Sequence, residues 1–463
     1  VNREAQLESL AARLRALQAR ECGFTGWELV ALEKTGEQRL VDGAAGNRLT
    51  LMQSRHAVRE YTVTVQVYVR HGSPEVMGTS GATLDPLGDP DAQFRACLAA
   101  ARASGNPPWE LPAPAGEPIG HPLECDPALL EDLPGATDAL LSSVEKSAAG
   151  LEGVRINAAE LYADVSKRTQ LLSTGIRVER NLSEIYFECA MEPARAETNT
   201  QEVHNVVRGV HQSSLDLPAF MNECAEETRA LGCVEVPRSD PRAVVLVRAE
   251  ALNQILHALL GQLDLSAEYH KRPHLKEGEA VHAGELTGEP LELALDPFLD
   301  YMAESGAHTR EGLPASRGNL VAGGRVALRV GSHRMAQYLG RPWNGVYGNL
   351  VVPPGRLGRE ELIAGCPRVI EVKAFSSLLV SSDTLTWSSE IKLAVLHEPG
   401  RAPVFLKGGV MAGDIRQNLA AAFYSRETRR VNQTEDGYHP AMGYEGPRWA
   451  RFGRGVSVSG RSA

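Results

Sequence analysis

The stretch Glu60–Gly72, EYTVTVQVYVRHG, restricts the fold more than any other part of the chain. Tyr61, Val63, Val65, Val67 and Val69 alternate with Thr62, Thr64, Gln66, Tyr68 and Arg70. Such strict alternation, rich in β-branched residues, predicts a strand with one apolar and one polar face. It therefore predicts an N-terminal sheet covered on one side. GWELVALEK (26–34) and RLTLMQS (48–54) read as its companions. Leu7, Leu10, Leu14 and Leu17 recur at spacings of three and four, as in an amphipathic helix that Gly23 ends. DPDAQFRACLAAARASG (89–105) reads as a second helix, capped by Asp89 or Asp91. NPPWELPAPAGEPIGHP (106–122) reads as a semi-stiff surface connector.

Beyond that connector a helix is expected near 127–150, interrupted around Pro134-Gly135. Three strand-like runs follow, then a helix at 217–232 and the short strand AVVLVR at 243–248. From about 290 onward the chain reads as β-rich, with one helix near 415–425. The expectation is an α+β fold in three parts. Residues 1–123 form an α/β domain with helices on a twisted sheet. Residues 124–289 form a central α/β segment, and 290–463 a β-rich C-terminal domain.

Charge and cysteine content narrow the function classes. A formal net charge of −10 disfavours a nucleic-acid surface over the whole protein. The basic runs SRETRR (425–430) and RWARFGRGVSVSGR (448–461) read as solvated face or tail. No apolar run is long enough to span a membrane, and the first twenty residues lack the apolar block of a signal peptide. Val1 in place of Met suggests a processed or trimmed start. The seven cysteines are scattered and lack any CxxC spacing, which suggests a reduced, cytoplasmic setting.

The main candidate for chemistry is HALLGQ (257–262), within a leucine-rich helix. Leu252, Ile255, Leu256, Leu259, Leu260 and Leu263 make a full apolar face, with His257 at its margin. A histidine there reads as a hydrogen-bonded structural residue. As a zinc site the stretch is poor. His257 and Gln262 are five apart, about 140° around an unbroken helix; they converge only if the helix loosens at Gly261. Ala258 offers no general base, and Gln262 is a weak zinc ligand.

A second, weaker metal candidate is Glu268 with His270 and His274, where Pro273, Lys271 and Arg272 argue against a site. His204 and His211 would share one face of a helix but read as solvated surface. His397-Glu398-Pro399 reads as a turn, and the Gly-Gly pairs at 323–324 and 408–409 lack a phosphate-loop context.

Several ordered stretches resemble the TldD/PmbA family, also called TldD/TldE and "modulator of DNA gyrase". They are GTSGATLDPLGDPDAQFRACLAAARASGNPPWELPAP, LLSTGIRVERNLSEIYFECAME, LLGQLDLSAEYHKRPHLKEGEAV, GNLVVPPGRLGREELI and LLVSSDTLTWSSEIKLAVLHEPGRAPVFLKGGVMAGDI. The resemblance covers almost the whole chain. It implies one of two roles. TldD-type chains carry HExxxH and are zinc metalloproteases. PmbA-type chains lack the motif and pair with a TldD-type chain around a cavity where unfolded peptides are cut. Laid on this sequence, HExxxH falls on His257, Ala258 and Gln262, so two of its three positions are replaced.

The C-terminal cysteine ligand of TldD-type chains also has no counterpart, because the last cysteine is Cys366. SSDTLTWSS (381–389) departs from the family's GDFS piece, which suggests a specialised member. The resemblance thus implies a non-catalytic PmbA/TldE-like subunit with no cofactor of its own, zinc being held by a TldD-type partner. The partner would be that chain or a second copy, with an extended peptide as substrate and neither membrane nor nucleic acid involved. The alternative is a standalone homodimeric hydrolase or biosynthetic enzyme of the same fold using a different residue set. A homodimeric binding protein is a third possibility.

Overall fold

The structure is a computed structural model that describes residues 2–52, 55–194, 202–435 and 442–461. Its first layer is one antiparallel sheet. The strands are β1 (Phe24–Ala44), β2 (Arg48–Leu51), β3 (His56–His71), β4 (Val76–Thr83), β5 (Val154–Leu172), β6 (Arg177–Pro193) and β7 (Val203–Gly209). Their order is β4-β3-β1-β5-β6-β7, with β2 folded back on the end of β1.

The alternation read at 60–72 is realised. Val63, Val65, Val67 and Val69 are buried, while Thr62 and Thr64 are exposed. They meet Leu7, Leu10 and Leu14 of α1 (Arg3–Gln18) and Phe94 and Leu98 of α2 (Pro90–Ala101). The same face of the far half of the sheet receives α3 (Pro127–Glu131), α4 (Leu133–Ala148) and α5 (Leu217–Ala230), with Leu161, Ile185 and Phe187 against Val144 and Met221.

Four of these helices start from one local device. Asp89, Asp126, Asp132 and Asp216 each accept a hydrogen bond from a first-turn N–H, and a proline stands in that same turn. The aspartate satisfies an orphan donor, and proline costs nothing where no partner carbonyl exists. The break expected at Pro134-Gly135 therefore lies at Asp132, which ends α3 and caps α4.

The second layer is built around α6 (Ala249–Leu263), which follows the strands β8 (Val234–Glu235) and β9 (Val245–Arg248) and leads into α7 (Leu265–Tyr269). A ten-stranded and a six-stranded sheet surround α6. Its Leu252, Ile255, Leu256, Leu259 and Leu263 are at most 1% exposed and join a core that runs from Ala243 to Val458. Burying each such side chain contributes roughly 1.5–3 kcal/mol before entropy is subtracted.

The α+β class agrees with the sequence expectation, but the expected divisions do not follow the hydrogen bonds. β1 pairs with β5 from Glu28↔Leu172 to Asp42↔Ala158, so one sheet crosses 123/124. Likewise a single core crosses 289/290. The proline-rich connector carries the chain from α2 back to the same sheet. It is also anchored: Trp109 is 5% exposed, edge-on to Tyr68 and Tyr338 at 5.9 Å each. In the C-terminal half a helix occurs at Ile415–Ala420, near the expected place, and short helices at His333–Tyr338 and Arg359–Ala364 lie where none is expected.

Candidate functional site

β9 delivers the chain to the start of α6, and α6 then presents His257 four residues after Asn253. The His257 ring closes back on its own helix, with Nδ1 2.9 Å from the Asn253 carbonyl. Nε2 lies 3.8 Å from Glu304 Oε2. Glu304 is positioned by its N–H, which donates to Asn349 Oδ1 at 2.9 Å. Ala258 is buried in the core. Gln262 points elsewhere: its amide donates to the Ser382 carbonyl at 2.6 Å and the Asp383 carbonyl at 3.3 Å.

α6 runs unbroken through Gly261, so the loosening that would bring positions 257 and 262 together does not occur. Gly261 has a different use. A Cβ there would stand 2.7 Å from Ser382 Oγ, so the missing side chain admits the 381–383 turn against the helix.

A zinc ion needs about three or four nitrogen, sulfur or oxygen donors converging at about 2.0–2.3 Å. Among the described residues only the imidazole and the Glu304 carboxylate face each other around His257, and the Gln262 amide is turned to backbone carbonyls. This donor set does not fit zinc. Among the described residues no three His, Cys, Asp or Glu side chains gather as a metal site elsewhere.

The weaker candidates also separate. Glu268 forms ion pairs with Arg329 and, at 3.0 Å, with Arg341. Burial pushes its carboxyl up, but the arginines outweigh this and hold it below the ordinary range. His270 ends α7 as its C-cap, and His274 turns to the Arg272 carbonyl at 2.9 Å. His204 lies in β7, 3.3 Å from Glu188, and His211 stacks on Tyr301 with ring centroids 4.3 Å apart. The stretch that holds both is strand and turn, so they share no helix face. His397 contacts the buried Glu371 at 3.0 Å.

The structure adds a site that no local motif announces. A cavity of about 540 Å³ lies between β7 and α5 on one side and the start of α6 with the strands Val369–Phe375 and Thr386–His397 on the other. Charged side chains dominate its wall. Arg248 forms ion pairs with Glu227 and, at 3.2 Å, with Glu223. Arg429 reaches Glu250 at 3.1 Å, and Lys373 is held by Glu371 at 2.7 Å.

Glu435 differs from these. Its carboxylate accepts the Phe375 N–H at 3.0 Å and has no cation within ion-pair distance among the described residues. Burial, with some help from Glu250 and Glu227 and against the Phe375 N–H, pushes its carboxyl up to about 7. Lys392 donates to the His204 carbonyl at 2.9 Å, and burial lowers its ammonium below the ordinary lysine value.

This cavity abuts a long polar surface. The sheet face opposite the helices carries Lys34, Tyr162, Glu184, Tyr186, Glu188 and Arg208, all partly exposed. Tyr162 and Tyr186 donate to Glu160 and Glu188, and Arg208 lies over the Tyr186 ring at 4.8 Å. Ammonium, guanidinium, carboxylate and phenol groups thus share one face of the sheet.

The profile of the "PmbA/TldA metallopeptidase C-terminal domain" matches residues 241–442. No curated protein matches the chain. Among solved structures, a protein named as a modulator of a DNA gyrase from Thermotoga maritima aligns with a TM-score of 0.77 at 17% identity, over 98% of this chain and 99% of its own. TldE from Thermococcus kodakarensis aligns at 0.77 and 14% identity, over 97% and 100%. A Bacteroides thetaiotaomicron protein also named for DNA gyrase modulation aligns at 0.78 and 14%, over 98% and 99%. At these identities the structures speak for the fold along the whole chain, and the domain match identifies residues 241–442 as a PmbA/TldA metallopeptidase C-terminal domain.

Proposed function

We propose that this chain is a non-catalytic, PmbA/TldE-like subunit of a peptide-processing assembly whose zinc is held by a TldD-type partner. The observation that carries this reading is the state of α6. Where an HExxxH chain would have a general base and a second ligand, this one has buried Ala258 and a Gln262 amide spent on two carbonyls. Among the described residues neither a base nor a full ligand set stands there to activate water; loss of a general base alone removes about 10²–10⁴ in rate.

The polar sheet face is consistent with a holding role, because an extended segment can meet tyrosine, carboxylate and guanidinium groups along one surface. No helix among the described residues is long and apolar enough to cross a membrane.

The test is reconstitution. The full chain is purified alone and after co-expression with an HExxxH-bearing family member from the same source. The expected result is a defined heteromeric complex by light scattering that cleaves an unfolded peptide, while the isolated chain does not. Chelator-sensitive cleavage by the isolated chain would instead support the standalone enzyme with its own residue set.

A further inference from the structure

Among the described residues the charges lining the cavity beside α5 do not all find partners. Arg248 is matched by Glu223 and Glu227, Lys373 by Glu371, and Arg429 by one oxygen of Glu250. Three features are left over. Glu250 is 8% exposed, and its Oε2 is shut from solvent with no hydrogen-bond partner. The Glu435 carboxylate has one backbone N–H. Among the described residues the Lys392 ammonium has one hydrogen-bond partner, the His204 carbonyl, for its three N–H donors.

Glu435 and Lys392 line the same cavity, yet no ion pair joins them. A buried carboxylate and a buried ammonium that share a cavity, each without an ion-pair partner in reach among the described residues, are costly to keep charged. The exposed Glu202 stands on the same wall, which gives the space a way to solvent.

We propose that this cavity binds a small zwitterion of the α-amino acid class, its ammonium group toward Glu435 and Glu250 and its carboxylate toward Lys392. A ligand carrying both charges completes both half-pairs at once, whereas a simple amine or a simple acid leaves one unmatched. The volume of about 540 Å³ holds a free amino acid or a dipeptide together with water. No metal and no covalent step are involved. The site is separate from the α6 helix position of His257, and the proposal stands whether or not the chain joins a peptidase assembly.

Calorimetric titration of the purified full chain at pH 8 tests it, with a panel of free α-amino acids and alanylalanine as probes and with propylamine and propionate as single-charge controls. The expected result is saturable one-to-one binding of at least one zwitterion, with both controls weaker by about tenfold or more. E435Q keeps the acceptor for the Phe375 N–H and removes only the charge. It is expected to abolish the preference for the zwitterion over propionate. K392M is expected to abolish the preference over propylamine; if that variant does not fold, K392Q, which retains a donor for the His204 carbonyl, serves in its place. Absence of saturable binding by every zwitterion, or binding unchanged in both variants, overturns the proposal.

Discussion

Replacing Arg248 by methionine lowers the unfolding free energy by about 3–5 kcal/mol. Arg248 ends β9, and its side chain is only 18% exposed. Burial alone would lower its affinity for a proton, but Glu227 and Glu223 more than reverse this and the guanidinium stays charged. Methionine fills similar volume and removes the charge. Glu227, 5% exposed, is then left with the Asn205 amide at 2.9 Å as its remaining polar contact among the described residues. The cost is mainly that of the stranded carboxylate, so R248M combined with E227Q is expected to recover at least half of the loss. Urea unfolding of the parent, both single variants and the double variant checks this. A loss under about 1 kcal/mol for R248M would mean that the pair is as weak as a surface one.

Glu371 predicts an effect of similar size with a clear pH signature. It is 0% exposed in a strand of the ten-stranded sheet. Arg359 grips both oxygens, Nε to Oε1 at 3.0 Å and Nη2 to Oε2 at 2.6 Å, while Lys373 and His397 approach at 2.7 and 3.0 Å. Burial pushes this carboxyl up, but the hydrogen bonds from His397, Arg359 and Lys373 overwhelm that and hold it far below the ordinary range.

E371Q leaves cations around a neutral amide and is expected to cost about 3–5 kcal/mol at neutral pH. The sign follows from linkage. A carboxyl whose folded value is depressed contributes stability that is present above its unfolded value of 4.5 and lost as pH falls toward the folded value. The gap between parent and E371Q should therefore be flat from about pH 8 to pH 5 and narrow below about pH 4.5. A gap that closes between pH 8 and 6 would assign the effect to another group.

Much of the scaffold was legible in the sequence because side-chain periodicity reports burial. The alternation at 60–72 and the leucine stripe of α6 each predict the face that the structure buries. β1 shows where such reading stops. Its first half, with GWELVALEK, is legible, but the strand continues to Ala44 through TGEQRLVDGA, a stretch with little apolar periodicity. It stays extended because β5 pairs it as far as Asp42 on one side, while β3 as far as Gln38 and then β2 from Val41 pair it on the other, causes that leave no mark in its own periodicity.

The sheet and core cross the expected divisions for the same reason. Proline and glycine mark an irregular segment, yet the backbone pairs re-form beyond it. Gly261 was read as a place for the helix to loosen, whereas it makes room for Ser382.

The site divides in the same way. His257, Ala258 and Gln262 lie within one helix and could be weighed from their spacing. Arg248, Lys392 and Glu435 are assembled from segments nearly two hundred residues apart. The only local hint is a lysine within the otherwise apolar strand IKLAVLHE, while Glu435 lies in the polar run NQTEDG, where an acidic residue attracts no notice.

The central claim, that the α6 position of this chain does not hold a catalytic metal, is tested most directly by elemental analysis of the purified full chain after dialysis against zinc-containing and then metal-free buffer. The account predicts zinc far below one ion per chain, unchanged by His257→Ala. One tightly held zinc per chain that disappears with His257→Ala would contradict it.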